Sequence, residues 1–249
     1  QSPLSSPTAI ALDPAGNLYI AEDTVENFFN ITKIRRVDPG GTITTVYQAP
    51  TGVNFPSVVD MVFDTSSGTL LTIGQDRVWR VPGTGVEPIV VAGTDATGFG
   101  GDHDLAIAAK LNNPSGLAVD ASGNIYIVDR SNFRIRKVDA AGIIRTIAGT
   151  GVQSPLNAPD SIPEDRLAIA TRIRLAPLAG IAVAPDGDVL FAEAGYAIIR
   201  RITPNGILKT CAGSLAPDVV GATIGDDPLA SGSALDTKIG LPGALTASP

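Results

Sequence analysis

Apolar residues fall along this chain in short runs of three to five, rich in Ile and Val, and a turn former closes each run. The stretch from Leu111 to Thr150 shows this most plainly. Its runs are Leu117 to Val119, Ile125 to Val128, Ile135 to Val138 and Ile143 to Ile147, separated by Asp-Ala-Ser-Gly, Asp-Arg-Ser-Asn and Asp-Ala-Ala-Gly. Runs of β-branched residues bounded by Asp, Asn, Ser and Gly read as strands joined by tight turns. Four of them in about 40 residues form one antiparallel meander, the usual blade of a β-propeller.

The same pattern recurs on both sides. A first copy over 7–50 carries Pro7 to Gly16, Asn17 to Glu22, Lys33 to Val37 and Thr42 to Val46, with an insertion around Asn27 to Asn30. A more divergent second copy covers 56–94, the third 114–150 and the fourth 177–213. Residues 241–249 match the first strand alone. Leading prolines at 7, 56, 114, 177 and 242 are spaced by 49, 58, 63 and 65 residues, so the growth lies between blades. The expected fold is all-β: a propeller of four-stranded antiparallel blades, four of them plus the first strand of a fifth, within a six-bladed or larger array. A blade packs both of its faces on neighbours, so its strands need not alternate cleanly between apolar and polar.

The connections have their own pattern. Gly101 to Leu111, Pro163 to Ile173 and Gly225 to Leu235 each place acidic residues before small apolar ones, as an N-capped helical turn does. Short helical turns are expected there, with a plain surface loop an equal alternative for the last.

At these residues the chain resembles the NHL repeat family. The resemblance lies in Pro-Ser-Gly-Leu-Ala-Val-Asp120, Gly-Asn-Ile-Tyr-Ile-Val-Asp129 and Asn132-Phe-Arg-Ile-Arg-Lys-Val138. Ala92-Gly-Thr, Gly98-Phe-Gly-Gly-Asp102 and Leu105 to Pro114 are similar to the linker of secreted NHL arrays. It covers nearly the whole chain and is weakest in the second blade, where Asp60-Met-Val-Phe replaces the usual apolar lead-in. It implies a propeller, commonly six-bladed, used for binding.

Composition narrows the picture. The 249 residues hold 27 Gly and 19 Pro, in keeping with many tight turns, and no apolar run is long enough to span a membrane as a helix. A net charge of −7 argues against a nucleic-acid partner, which needs a basic face to neutralise phosphates. Cys211 is the one cysteine, so no intrachain disulfide forms; it aligns with Ile147 inside a fourth strand and reads as a small buried hydrophobe.

Candidate chemistry is sparse. Glu22, Asp129 and Glu193 stand just after the second strand of their blades, where blade two has Gly74. They either ring an opening and attract a cation or basic partner, or bond backbone amides of their own turns; the turn role is preferred. Arg35-Arg36, Trp79-Arg80, Arg136-Lys137 and Arg200-Arg201 end the third strands. Their stems fit between blades with the heads reaching a carboxylate at the rim, although a basic binding stripe is the alternative. Asp13, Asp64, Asp120 and Asp186 mark first turns. Asp102, His103 and Asp104 form the sharpest local cluster, read as a solvated helix cap. One His cannot build a His-rich zinc site. Asn30-Ile-Thr32 is an acceptor triplet for N-glycosylation.

No catalytic residue, cofactor or metal site is assigned. The expected function is a non-catalytic binding or structural module mediating protein–protein or ligand contacts in a secreted, cell-surface or multi-subunit assembly. Its partner is another protein or a continuation of the same chain, and an unpaired terminal strand offers a route to assembly. The alternative is a lactonase- or lyase-like propeller enzyme whose catalytic residues are not recognisable.

Overall fold

A computed structural model describes residues 3–26, 29–50, 55–155 and 168–213. Within them four antiparallel meanders follow one another. Blade one comprises β1 (Ser6–Leu12), β2 (Leu18–Glu26), β3 (Phe29–Val37) and β4 (Ile43–Gln48). Blade two has β5 (Asp60–Asp64), β6 (Thr69–Gly74), β7 (Arg77–Val81) and β8 (Ile89–Ala92). Blade three has β9 (Gly116–Val119), β10 (Ile125–Asp129), β11 (Arg134–Val138) and β12 (Ile144–Ala148). In blade four, β14 (Leu178–Val183), β15 (Val189–Glu193), β16 (Ile198–Ile202) and β17 (Ile207–Ala212) are joined at the outer edge by a short β13 (Ala168–Ile169). The fifth-blade strand expected at 241–249 and the connection at Gly225 to Leu235 lie outside the described residues.

The turns follow from local chemistry. Asp120 Oδ1 accepts the N–H groups of Ser122 and Asn124, and its Oδ2 accepts the Asn124 amide at 2.6 Å and the Tyr126 hydroxyl at 3.0 Å. Gly123, at φ 78°, completes this turn in the left-handed region that a side chain disfavours. Asp13 makes the same set with Ala15, Asn17 and Tyr19. These hydrogen bonds hold the Asp13 and Asp120 carboxyls below the ordinary range, against burial, which pushes them up.

First strands β1, β5, β9 and β14 lie beside one another in chain order, and three apolar seams form between blades. Tyr19, Ala21 and Ile34 meet Met61, Leu70 and Val81 between blades one and two. Leu71, Ile73 and Val78 meet Leu117, Ile125, Ile127, Val138 and Ile144 between two and three. Between three and four, Ala118, Tyr126, Val128 and Ile135 meet Ile181, Val189, Phe191, Ile202 and Leu208. Blades two, three and four thus each offer an apolar face to the blade before it. Sheets of four strands gain their stability by this stacking.

The two described connections hold the expected short helical turns, but without caps. Ala106–Ala108 and Ala170–Arg172 are single 3-10 turns with no side-chain cap and no acidic residue in the first turn. Asp102 is engaged with Arg136 and Thr146 instead, and each segment runs along the outer strand of the next blade. The His103 N–H donates to the Ile144 carbonyl at 2.7 Å, and the Ile144 N–H donates to Asp104 O at 3.0 Å. β13 pairs with Leu208 and Ile207 in the same way. Gly93 N–H donates to Ala106 O, and Gly149 N–H to Ala170 O. The backbone therefore aligns Ala106 with Ala170, two residues away from the match suggested by the Leu-Ala-Ile-Ala text. Edge strands are shielded by these segments in blades three and four. In blade two the corresponding position is Pro88, which has no N–H to leave unpaired.

Candidate functional site

Glu22, Asp129 and Glu193 are all but inaccessible, at 1%, 0% and 0% exposure. Each reaches back 17 residues to a backbone amide at the start of its blade: Ser5 N–H donates to Glu22 Oε2 at 2.9 Å, Asn112 N–H to Asp129 Oδ1 at 2.9 Å, and Ala176 N–H to Glu193 Oε2 at 3.0 Å. Each also grips an arginine of the adjacent strand. Arg35 Nη1 lies 3.0 Å from Glu22, Arg136 Nη1 3.3 Å from Asp129, and Arg200 Nε 2.8 Å from Glu193. The backbone amides they bind belong to the lead-in of the blade, not to their own turns, although Asp129 also accepts the Asn132 side-chain amide from its own turn at 2.8 Å. No oxygen of the three is turned toward an opening.

Of each basic doublet, one member turns into this pair and the other lies on the opposite face of the sheet. Arg136 and Arg200 are 0% and 1% exposed. Arg136 is the most connected of them. Beyond Asp129 it donates to the carbonyls of Gly100 and Lys110 at 3.2 and 3.3 Å, and it lies over the Phe99 ring with its Cζ 4.9 Å from the centroid. Asp102 Oδ1 sits 2.8 Å from its Nη2 as a charge contact, and Asp102 Oδ2 accepts the Thr146 hydroxyl at 2.7 Å. One guanidinium thus ties the connection to the blade it leads into. Burial raises the Asp129 carboxyl above its ordinary range, against the opposing pull of Asn132, the Asn112 amide and Arg136.

The cluster of Asp102, His103 and Asp104 therefore divides. Asp102 is half-buried and joined to Arg136, whereas His103 and Asp104 are exposed and contribute backbone groups to the edge of β12. His103 holds φ 71°. None of the three caps a helix. Among the described residues no group of three or more His, Cys, Asp and Glu side chains stands close enough to hold a metal ion. Cys211 is half-buried, its thiol donates to the Ile199 carbonyl at 3.4 Å, and burial pushes its pKa up, so the thiolate is disfavoured. Asn30 lies in β3 opposite Val25, in a hairpin that blade one extends beyond the length of the others.

Blade two departs from this wiring at both ends. Gly74 replaces the carboxylate, Trp79 replaces the arginine, and the Trp79 ring packs against Phe55 at 5.3 Å. A Cβ on Gly74 would overlap the Ser57 carbonyl, so the lead-in backbone occupies the place the carboxylate takes elsewhere. Arg80 pairs instead with the turn carboxylate of Asp64 at 2.7 Å. The interdependence of these substitutions is invisible to motif reading; only the strand register exposes it.

Consecutive four-stranded meanders, stacked face to face with their first strands adjacent, define a β-propeller built from repeats. Comparison with known proteins makes the class more specific. A profile of the Teneurin NHL domain matches residues 83–166. The chain is 30% identical over 229 residues to Teneurin-3 of Danio rerio and 27% identical over 245 residues to Teneurin-m of Drosophila melanogaster, covering 84% and 93% of this chain. It spans 8% of either relative's length. The chain belongs to the NHL-type repeat family. Among solved structures, a Bacteroides thetaiotaomicron protein of unknown function superposes with a TM-score of 0.64, over 95% of this chain and 53% of that one, at 16% identity. A streptogramin B lyase does so with a TM-score of 0.54, over 84% and 55%, again at 16% identity. At that identity these two share the fold alone.

Proposed function

We propose that the chain is a non-catalytic binding and scaffolding module of a secreted or cell-surface protein longer than these 249 residues. One observation carries this reading: the recurring acidic side chains that could have lined a reaction centre are sealed between strands and saturated by backbone amides and arginines. The teneurin relatives support the setting, since the chain is similar to them over most of its length while spanning a small part of theirs. What remains at the surface suits contact with a protein. Leu105 and Ile107, 53% and 55% exposed, stand on the connection beside the exposed His103 and Asp104, an apolar patch with an acidic margin.

Capture of surface and secreted proteins by the immobilised chain, with Leu105→Asp/Ile107→Asp as the comparison, tests this. The reading expects a partner that the double variant loses while its melting temperature holds. The lyase and lactonase alternative rests on fold likeness. Saturable turnover of a lactone panel by the purified protein, with or without added divalent metal, would replace the binding reading with that one.

A further inference from the structure

Blades two and three each carry an arginine at the start of the third strand, and they treat it differently. Arg77 opens β7 and Arg134 opens β11. The fourth strands beside them end at Ala92 and Ala148 and continue as Gly93-Thr94-Asp95 and Gly149-Thr150-Gly151. Arg77 pairs with the exposed Asp95. The equivalent place in blade three is Gly151, where a Cβ would overlap the Arg134 guanidinium. Gly151 holds φ 84°, which a side chain disfavours. Blade three therefore has the cation of this pair without its carboxylate.

Arg134 is nevertheless held in place. Its Nη1 donates to the Asn132 carbonyl at 3.1 Å and its Nη2 to the Thr150 carbonyl at 2.8 Å. Its Cζ lies 3.7 Å from the centroid of the Phe99 ring, a side chain that is 43% exposed. Two carbonyls leave further N–H groups of the planar cation unused. Among the described residues no carboxylate pairs with Arg134, and the two nearby, Asp102 and Asp129, are taken by Arg136. Burial and the Arg136 charge beside it lower the Arg134 pKa, against the pull of those two carboxylates. The site is short of negative charge. Two more cations stand at the same end of blade three. The turn Arg130–Asn132 donates the Ser131 N–H to the Asn112 carbonyl at 3.1 Å, which brings the exposed Arg130 beside the strand that carries the exposed Lys110. Neither has a carboxylate partner among the described residues, in a chain whose net charge is −7.

We propose that Arg134, held beside Phe99, receives a carboxylate from an acidic segment of a protein partner, with Lys110 and Arg130 taking the flanking carboxylates. The partner's carboxylate would do for Arg134 what Asp95 does for Arg77. An arginine already fixed by two carbonyls and a ring gives up little rotamer freedom on binding, so the charge-assisted hydrogen bond is gained at low entropic cost. Three cations around one exposed ring exceed what a single carboxylate needs, and they suit a segment that carries several. A nucleic acid would bring the same sign of charge, but over a length that meets the acidic remainder of the surface. The proposal rests on the reading of the chain as a binding module, but not on the patch at Leu105 and Ile107.

The test is binding of a labelled hexaglutamate peptide to the protein at its natural length, in low salt, read by fluorescence anisotropy. Saturable binding below about 1 mM is expected, with hexaglutamine and free glutamate binding at least about tenfold more weakly. Arg134→Gln should weaken it at least about tenfold, and Lys110→Gln/Arg130→Gln, which alters only exposed side chains, at least about threefold. Arg145→Gln, an exposed arginine on β12, makes the same change of charge and should leave the affinity as it was. No saturable binding would overturn the proposal. So would binding that survives both the Arg134 and the Lys110/Arg130 changes, equal loss in Arg145→Gln, or an oligothymidylate that binds as tightly as hexaglutamate. The peptide readout needs neither the natural partner nor Leu105 and Ile107, so failure here is separable from failure of partner capture.

Discussion

Blades two and three share a neighbour seam and a strand order, yet they hold their outer halves together by different means. Blade three uses a buried ion pair: Asp129 against Arg136, with Asn112, Asn132, Gly100 and Lys110 supplying further hydrogen bonds. Blade two uses packing, with a glycine so close to the Ser57 carbonyl that no side chain fits, and Trp79 tilted against Phe55, which meets Tyr47 edge-on. The difference teaches that the carboxylate of this repeat is a mechanical part. It can be dispensed with when the lead-in backbone moves into its place and an aromatic ring replaces the guanidinium.

The largest test of this contrast is Arg136→Leu. It strands Asp129 without its countercharge and detaches the Gly100 and Lys110 carbonyls, so urea unfolding should show a loss of about 3–5 kcal/mol. Gly74→Ala probes the other solution. Its methyl group meets backbone that cannot yield, and a loss of about 3 kcal/mol is expected, the upper end for overpacking. A smaller loss there would mean that the lead-in of blade two is looser than the contact implies.

Acid sensitivity separates the blades next. Burial pushes the Asp64 carboxyl up, but hydrogen bonds from Ser66, Ser67 and Arg80, with the Arg80 charge, bring it down to about 2. Its native pKa lies below the unfolded value, so its stabilisation is full above about 4 and is lost as pH falls toward 2. The amount is about 2 kcal/mol, and Asp64→Asn should flatten that limb of the stability profile. Asp129 has the opposite sign. Its raised pKa means that its contribution weakens as pH climbs above the ordinary carboxylate value, and carboxyl NMR should find its midpoint above that of Asp64. The smallest effect is expected at the exposed pair of Arg201 with Asp186, 3.3 Å apart and 43% and 60% exposed. Asp186→Asn should change stability by less than about 0.5 kcal/mol.

Much of the fold was legible because turn chemistry and β-branched runs are local signals. Asp120, Gly123 and the runs around Ile127 and Ile135 announce a hairpin without reference to anything distant. The second strand of blade three runs only one residue past its apolar run, to Asp129. The two described connections each hold a helical turn, as their pattern predicts, but no acidic side chain caps it; Asp102 is drawn 34 residues forward to Arg136, a partner that local pattern does not reveal. The recurring carboxylates were legible as a set but not in their role. Their amide partners lie 17 residues back, and which arginine of each doublet turns inward depends on strand register, which composition does not carry.

The most direct measurement is a double-mutant cycle on Asp129 and Arg136, read together with partner capture and lactone turnover. If the carboxylates are mechanical, each single change to an apolar residue costs about 3–5 kcal/mol, the double costs well below their sum, and neither binding nor turnover changes beyond the loss of folded protein. Singles that leave stability within about 0.5 kcal/mol while abolishing binding or turnover would contradict the account, since the pair would then serve a ligand and not the fold.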